Sequence, residues 1–158
     1  MLGSFSVGKT SLVRRFVDSI FSDKYLTTIG VKVEKKVVKV ETKDVTLVIW
    51  DIHGEDVYQK INMSNLRGMS GYLLVADGTR RQTLDDALAL NERVIQEVGK
   101  VPCVLLLNKY DLTDQWEIDS LQASKLAAAG WNVFNTSAKS GVGVEEAFLQ
   151  LAKAALGT

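Results

Sequence analysis

The sequence predicts an α/β domain in which six strands form a mostly parallel sheet, with one antiparallel edge strand and helices on both faces. Two continuous apolar runs, residues 71–76 (GYLLVA) and 103–107 (CVLLL), have the composition of parallel strands buried on both faces. Between them, Leu84, Ala87, Leu88, Leu90, Val94, Ile95 and Val98 recur at helical spacing, which predicts a crossover helix over 83–98. A glycine-rich turn that opens straight into a helical pattern completes the signature of strands alternating with helices.

Each element follows in chain order. The glycine loop begins at Gly3, so Met1 and Leu2 are all that remain for the strand expected before it. That first strand is read as truncated, as in a chain that starts mid-strand. Residues 9–18 form the first helix. Residues 31–42 and 45–50, rich in valine, are two strands joined by a hairpin turn at Lys43-Asp44. After the central strands and their crossover helix come a helix over 118–129, a strand over 131–135 and a last helix over 144–156. No linker or internal repeat interrupts residues 1–158, which read as one domain. In such sheets ligands bind at the carboxyl ends of the strands, so functional motifs should fall there.

Composition excludes several classes of function. The chain has 19 basic and 19 acidic residues, a balance that steers it toward neither nucleic acid nor an anionic membrane. Cys103 is the single cysteine, so no disulfide can form within the chain, which fits a reducing, cytoplasmic setting. It lies within an apolar run and reads as a small core residue. Apolar runs are too short to span a bilayer, and the tail Leu156-Gly157-Thr158 lacks a cysteine to prenylate. No membrane anchor is therefore expected in this chain.

Chemistry enters with residues 3–10, GSFSVGKT, which match G-x-x-x-x-G-K-[ST]. Glycines let the backbone wrap closely around phosphates with its N–H groups turned inward, and the following helix adds its positive N-terminal end. The phosphate-binding residues are thus Ser6, Val7, Gly8, Lys9, Thr10 and Ser11. Lys9 would reach the β- and γ-phosphates, and the Thr10 hydroxyl would bind Mg²⁺. This is a P-loop NTPase pattern, silent on the base. The base is read from Asn108-Lys109-Tyr110-Asp111, directly after the strand ending at Leu107. A fixed carboxylate accepts two N–H donors, a pair that guanine offers at N1 and N2 and adenine does not.

With these residues in place, the chain resembles a Ras-superfamily small GTPase, most similar to the Rab branch, over essentially its whole length. Three further stretches support the resemblance in order and spacing: Thr27-Thr28-Ile29-Gly30 as a first switch, Trp50-Asp51-Ile52-His53-Gly54 as the D-x-x-G of a second, and Thr136-Ser137-Ala138-Lys139 as a base-binding loop. The resemblance implies a switch that binds GTP or GDP with Mg²⁺ and hydrolyses GTP, in settings such as vesicle traffic. It implies that Thr28 and Asp51 join Thr10 around Mg²⁺ and that the Gly54 N–H touches the γ-phosphate. It places Phe21 against guanine, the Ala138 N–H on its O6, and Lys109 and Lys139 over base and ribose, with Asn108, Asp111 and Ser137 completing the base pocket.

Three positions depart from the family pattern. Glu55 stands where a glutamine usually orients the attacking water; an ionised carboxylate cannot donate to the γ-phosphate and adds negative charge beside it. Phe5 stands where the loop usually has a small residue, crowding the space that an arginine finger enters, worth roughly 10³–10⁵ in rate in this family. His53 stands in a slot often held by alanine. Lys9, Thr28, Gly54 and Glu55 are the residues implied for catalysis, and slow unaided hydrolysis is the expectation. The alternative is a GTP-binding module of a larger scaffold protein that barely hydrolyses. Exchange factors, activating proteins and effectors would dock on residues 21–30, 54–70 and the lysine-rich strand 31–42. Charge on that strand also serves to protect a sheet edge from pairing.

Overall fold

A computed structural model describes residues 1–24, 28–52 and 62–157. The uninterrupted apolar runs become the centre of a parallel sheet. β4 (Tyr72–Asp77) is buried at every position and β5 (Cys103–Asn108) at all but its first. Leu74 pairs with Leu105 and Val75 with Leu106. β1 (Leu2–Gly3) flanks β4 and β6 (Asn132–Asn135) flanks β5, giving a four-stranded sheet in the order β1-β4-β5-β6 with every pair parallel.

Strand alternation sends successive side chains to opposite faces, so this sheet builds two cores. Leu73, Val75, Val104 and Leu106 pack with Leu12 and Phe16 of α1 (Lys9–Asp18) and Phe148 of α4 (Val144–Leu156). The Phe16 and Phe148 rings stack with centroids 3.9 Å apart. Leu74, Ala76, Leu105 and Leu107 pack on the other face with Leu84, Ala87 and Val94 of α2 (Gln82–Val98) and with Leu126 of α3 (Ser120–Ala128). Fully burying a leucine contributes about 1.5–3 kcal/mol, so these two layers are the main source of rigidity beneath the site. α3 begins at an Asp119 cap whose carboxylate accepts from Gln122 N–H, two residues later than the helical spacing predicts.

The hairpin differs from its sequence reading in detail. β2 (Val31–Val40) and β3 (Lys43–Ile52) pair antiparallel with Val40 opposite Lys43. The turn is therefore Glu41-Thr42, with Glu41 at φ 54°, and not Lys43-Asp44. Moving a turn by two residues leaves every side chain on its face, so alternation alone does not locate it. β3 also runs on through Asp51 and Ile52, carrying both below the phosphate loop.

The mostly parallel fold stands, but its six strands hydrogen-bond as two sheets, four parallel strands and the β2–β3 pair. At two residues, β1 pairs along Leu74 and Val75 of β4, while the Met1 amine crosses the seam to donate to Trp50 O at 2.8 Å. Among the described residues, no helix is long and apolar enough to cross a membrane.

Because Leu105 is fully enclosed where both strand pairs meet, Leu105→Ala is expected to cost about 2–5 kcal/mol of stability, read as a lowered midpoint in chemical denaturation.

Candidate nucleotide site

Four loops leave the carboxyl ends of β1, β4, β5 and β6 side by side, as the parallel order requires. The loop after β1 turns on backbone conformations that side chains rarely adopt. Gly3 has φ 145°, and a Cβ there would lie 2.3 Å from Val75 O. Gly8 has φ 99°, and a Cβ would lie 2.3 Å from Asn108 Nδ2. Both positions need glycine for space as well as for angle. Gly8 then caps α1, whose free N–H groups and dipole face the loop.

Lys9, the first residue of α1, folds back over this loop. Its Nζ donates to Gly3 O at 3.0 Å and Ser4 O at 2.8 Å, and only 7% of the residue is exposed. Burial is the largest influence on it and pushes its pKa down to about 8, with Asp51 pulling the other way and Arg80 adding to the depression.

Beside it, oxygens from three elements converge. Thr10 Oγ1 of α1 donates to Asp51 Oδ2 of β3 at 2.6 Å, and Thr28 Oγ1 donates to the same oxygen at 3.3 Å. The two threonine hydroxyls also meet each other, so the single Thr28 proton is shared between Thr10 Oγ1 and the carboxylate. Asp51 is 1% exposed, and its Oδ1 is buried with no hydrogen-bond partner among the described residues. A buried carboxylate oxygen left unpaired is costly, and this one could be satisfied by a cation. Two hydroxyls and one carboxylate are hard oxygen donors of the kind Mg²⁺ takes. Among the described residues no three His, Cys, Asp or Glu side chains cluster to hold a metal. A divalent ion here would complete its shell with phosphate and water, as Mg²⁺ commonly does.

At the other end of a cavity of about 270 Å³ lie the base loops. Ser137 Oγ donates to Asp111 Oδ1 at 2.6 Å and accepts from Ser140 N–H at 3.0 Å, which holds the Asp111 carboxylate in place. Phe21, Lys109, Ala138 and Lys139 line the same cavity, and Phe21 also packs on the α1–α4 core. Asn108 lines the cavity too, but its amide is engaged in joining loops, donating to Val7 O at 3.0 Å and accepting from Thr136 Oγ1 at 3.2 Å. Lys139 reaches Asp23 at 4.0 Å, an exposed pair of little energetic weight.

Of the sequence-derived residues, Ser6, Gly8, Lys9, Thr10, Ser11 and Thr28 line this cavity with the base residues. Val7, Asp51 and Ser137 are buried next to it and do not line it. Phe5 sits on its wall, 36% exposed. Thr27, His53, Gly54, Glu55 and the rest of 53–61 lie outside the described residues.

Two side chains that sequence reasoning missed brace these loops. Arg15 of α1 donates from Nε to Ala138 O and from Nη2 to Lys139 O, each at 2.6 Å, tying the phosphate-loop helix to the base loop. No sequence signal marks it, since its partners lie more than 120 residues away. Asp77 is fully buried at the end of β4. A carboxylate closing an otherwise apolar strand, at the end where sites form, was a signal available in the sequence.

Fold and site together define a P-loop nucleotide-binding domain. The Ras family model matches residues 1–157. Over 152 residues the chain is 38% identical to Ras-related protein Rab-4 of Dictyostelium discoideum, covering 95% of this chain and 74% of that one. It is 36% identical over 158 residues to Rab-4B of Homo sapiens, covering 99% and 74%, and 34% identical over 155 residues to Rab-13 of Canis lupus familiaris, covering 97% and 76%. The chain belongs to the Ras family. As such it is a GTP-binding small GTPase that works with GTP, GDP and Mg²⁺.

Lys9 gives this site a pH dependence. A bound phosphate favours the charged amine, whereas the free protein loses that proton as pH rises through about 8. Binding then takes up a proton, so affinity falls as pH rises; GDP titrated by calorimetry is expected to bind about tenfold more weakly at pH 9 than at pH 7.

Proposed function

We propose that this small GTPase is a molecular switch whose unaided turnover is slow. The observation that carries the site assignment is the convergence of Thr10, Thr28 and Asp51 beside Lys9, with one Asp51 oxygen unpaired among the described residues. In this reading the N–H groups of residues 6–11 cradle the phosphates and Lys9 Nζ moves from the loop carbonyls onto the β- and γ-oxygens. Thr10, Thr28 and Asp51 hold Mg²⁺, which when bound supplies charge neutralisation on the phosphoryl oxygens. Asp111 accepts from guanine N1 and N2, Ala138 N–H meets O6, and Phe21, Lys109 and Lys139 cover base and ribose. Gly54 N–H meets the γ-phosphate. Thr28 and Gly54 feel its loss, which makes their loops the parts that change between states.

Slow hydrolysis follows from two residues. Glu55 cannot orient water by donating to the γ-phosphate as a glutamine does. Phe5 brings a phenyl ring to the cavity wall where an activating arginine would enter. Partners read the switch surfaces 21–30 and 54–70 and the hairpin. On that hairpin Val33 and Val37 of β2 and Val48 and Trp50 of β3 are exposed, with Val33 opposite Trp50 and Lys35 opposite Val48. An apolar patch edged by lysines suits exchange factors, activators and effectors. The cytoplasm is the compartment this reading favours.

Single-turnover GTP hydrolysis tests the proposal. Glu55→Gln and Phe5→Gly are expected to release phosphate faster than wild type, each by roughly tenfold or more, a gain typical of restoring a positioned catalytic group. Wild-type rates equal to or above both variants sink it. No release over many hours, with GTP still bound, would instead make the domain a GTP-dependent binding module.

A further inference from the structure

The Asp77 carboxylate organises a cluster that the family motifs do not include as a whole. Its Oδ1 accepts from Thr79 N–H at 2.9 Å and Thr79 Oγ1 at 2.7 Å. Its Oδ2 takes two cations, Lys109 Nζ at 2.6 Å and Arg80 Nε at 3.0 Å. Burial alone would raise this carboxyl, but bonds from Lys109, Thr79 and Arg80 outweigh it and hold the group ionised below its usual range. Both cations then meet at one backbone carbonyl. Ser6 O accepts from Arg80 Nη2 at 2.9 Å and from Lys109 Nζ at 3.1 Å, and Phe5 O accepts from Arg80 Nη2 at 3.2 Å.

Ser6 is a non-glycine residue at φ 61°, so the loop keeps an uncommon conformation here that something must hold. A peptide unit is planar, with its C=O and N–H on opposite sides. Drawing Ser6 O toward Arg80 and Lys109 commits the Val7 N–H to the other side, away from the cations. Arg80 suits this task through its shape. Its fork binds Asp77 through Nε while Nη2 spans two carbonyls, which the single ammonium of a lysine cannot do.

We propose that Arg80 is a positioning residue of the phosphate loop, fixing the peptides at Phe5 and Ser6 so that their N–H neighbours face the nucleotide's β-phosphate. This rests on the reading that residues 3–10 bind nucleotide, and it assigns a role to a residue outside every motif. Arg80 is 45% exposed at its side chain, so its removal should leave the core intact. The effect belongs to the diphosphate and not to the base, which Asp111 and Ser137 hold from other loops.

Release of fluorescent GDP, with GDP and GMP affinities by calorimetry, tests this on wild type, Arg80→Gln and Arg80→Lys. Arg80→Gln is expected to release GDP about five- to tenfold faster, with GMP affinity changed less than twofold and the thermal midpoint of the nucleotide-free protein within about two degrees. Arg80→Lys should fall between the two. Unchanged GDP release in Arg80→Gln overturns the role, and so does an equal loss of GMP and GDP affinity, which means general loosening. Failure of wild type to bind GDP would overturn the nucleotide reading itself.

Discussion

The Asn108 side chain holds three loops together, and the geometry of the site depends on it. It ends β5, is 1% exposed, and spends its amide on Val7 O of the phosphate loop and on Thr136 of the loop after β6. Gly8 must lack a side chain because Asn108 Nδ2 occupies the space where a Cβ would go. One amide thereby couples the phosphate end of the cavity to the base end. Buried polar groups of this kind are costly unless satisfied, and here each half of the amide has its partner. The apolar strands beneath supply the rigidity that makes such bonds specific, since every residue from Val104 to Leu107 is fully enclosed.

Charge is organised around the same frame, and two buried carboxylates near the phosphate loop differ in how far they are satisfied. Asp77 is completely buried yet surrounded by donors, so it behaves as a structural anion. Asp51 is nearly as buried but, among the described residues, keeps an oxygen without a partner, and Lys9 lies beside it with its charge disfavoured by burial. A satisfied carboxylate braces, while an unsatisfied one waits for a ligand. That contrast separates supporting residues from binding residues more sharply than proximity to the cavity does.

Much of this was legible in the chain. The phosphate loop, the base loops and the central strands follow from glycine spacing, from a carboxylate at a fixed offset, and from apolar runs without alternation. The hairpin turn was misplaced because a two-residue shift preserves both faces and Glu41 takes a left-handed conformation without glycine or asparagine to announce it. The division into two sheets was not read from the sequence, which predicts a single six-stranded sheet; in the structure β2 and β3 pair only with each other, and Met1 N donates to Trp50 O across the seam. Phe5 was marked as a departure by its residue type, while its position on the cavity wall came only from the packed loop.

By itself the sequence determined the class of chemistry: a loop able to wrap phosphate, a carboxylate able to choose guanine, and strands and helices alternating so that both fall at one edge of a sheet. These are local matters of backbone freedom, hydrogen-bonding valence and periodicity, and they can be read residue by residue. Only the tertiary structure decided which residues enforce that chemistry. Arg15 and Arg80 bind carbonyls of loops 123 and 74 residues away, and Thr10 meets Asp51 across 41 residues. Such contacts are set by the sheet order, because parallel strands bring distant loops to a common edge and nothing in local composition records which side chain will bridge them.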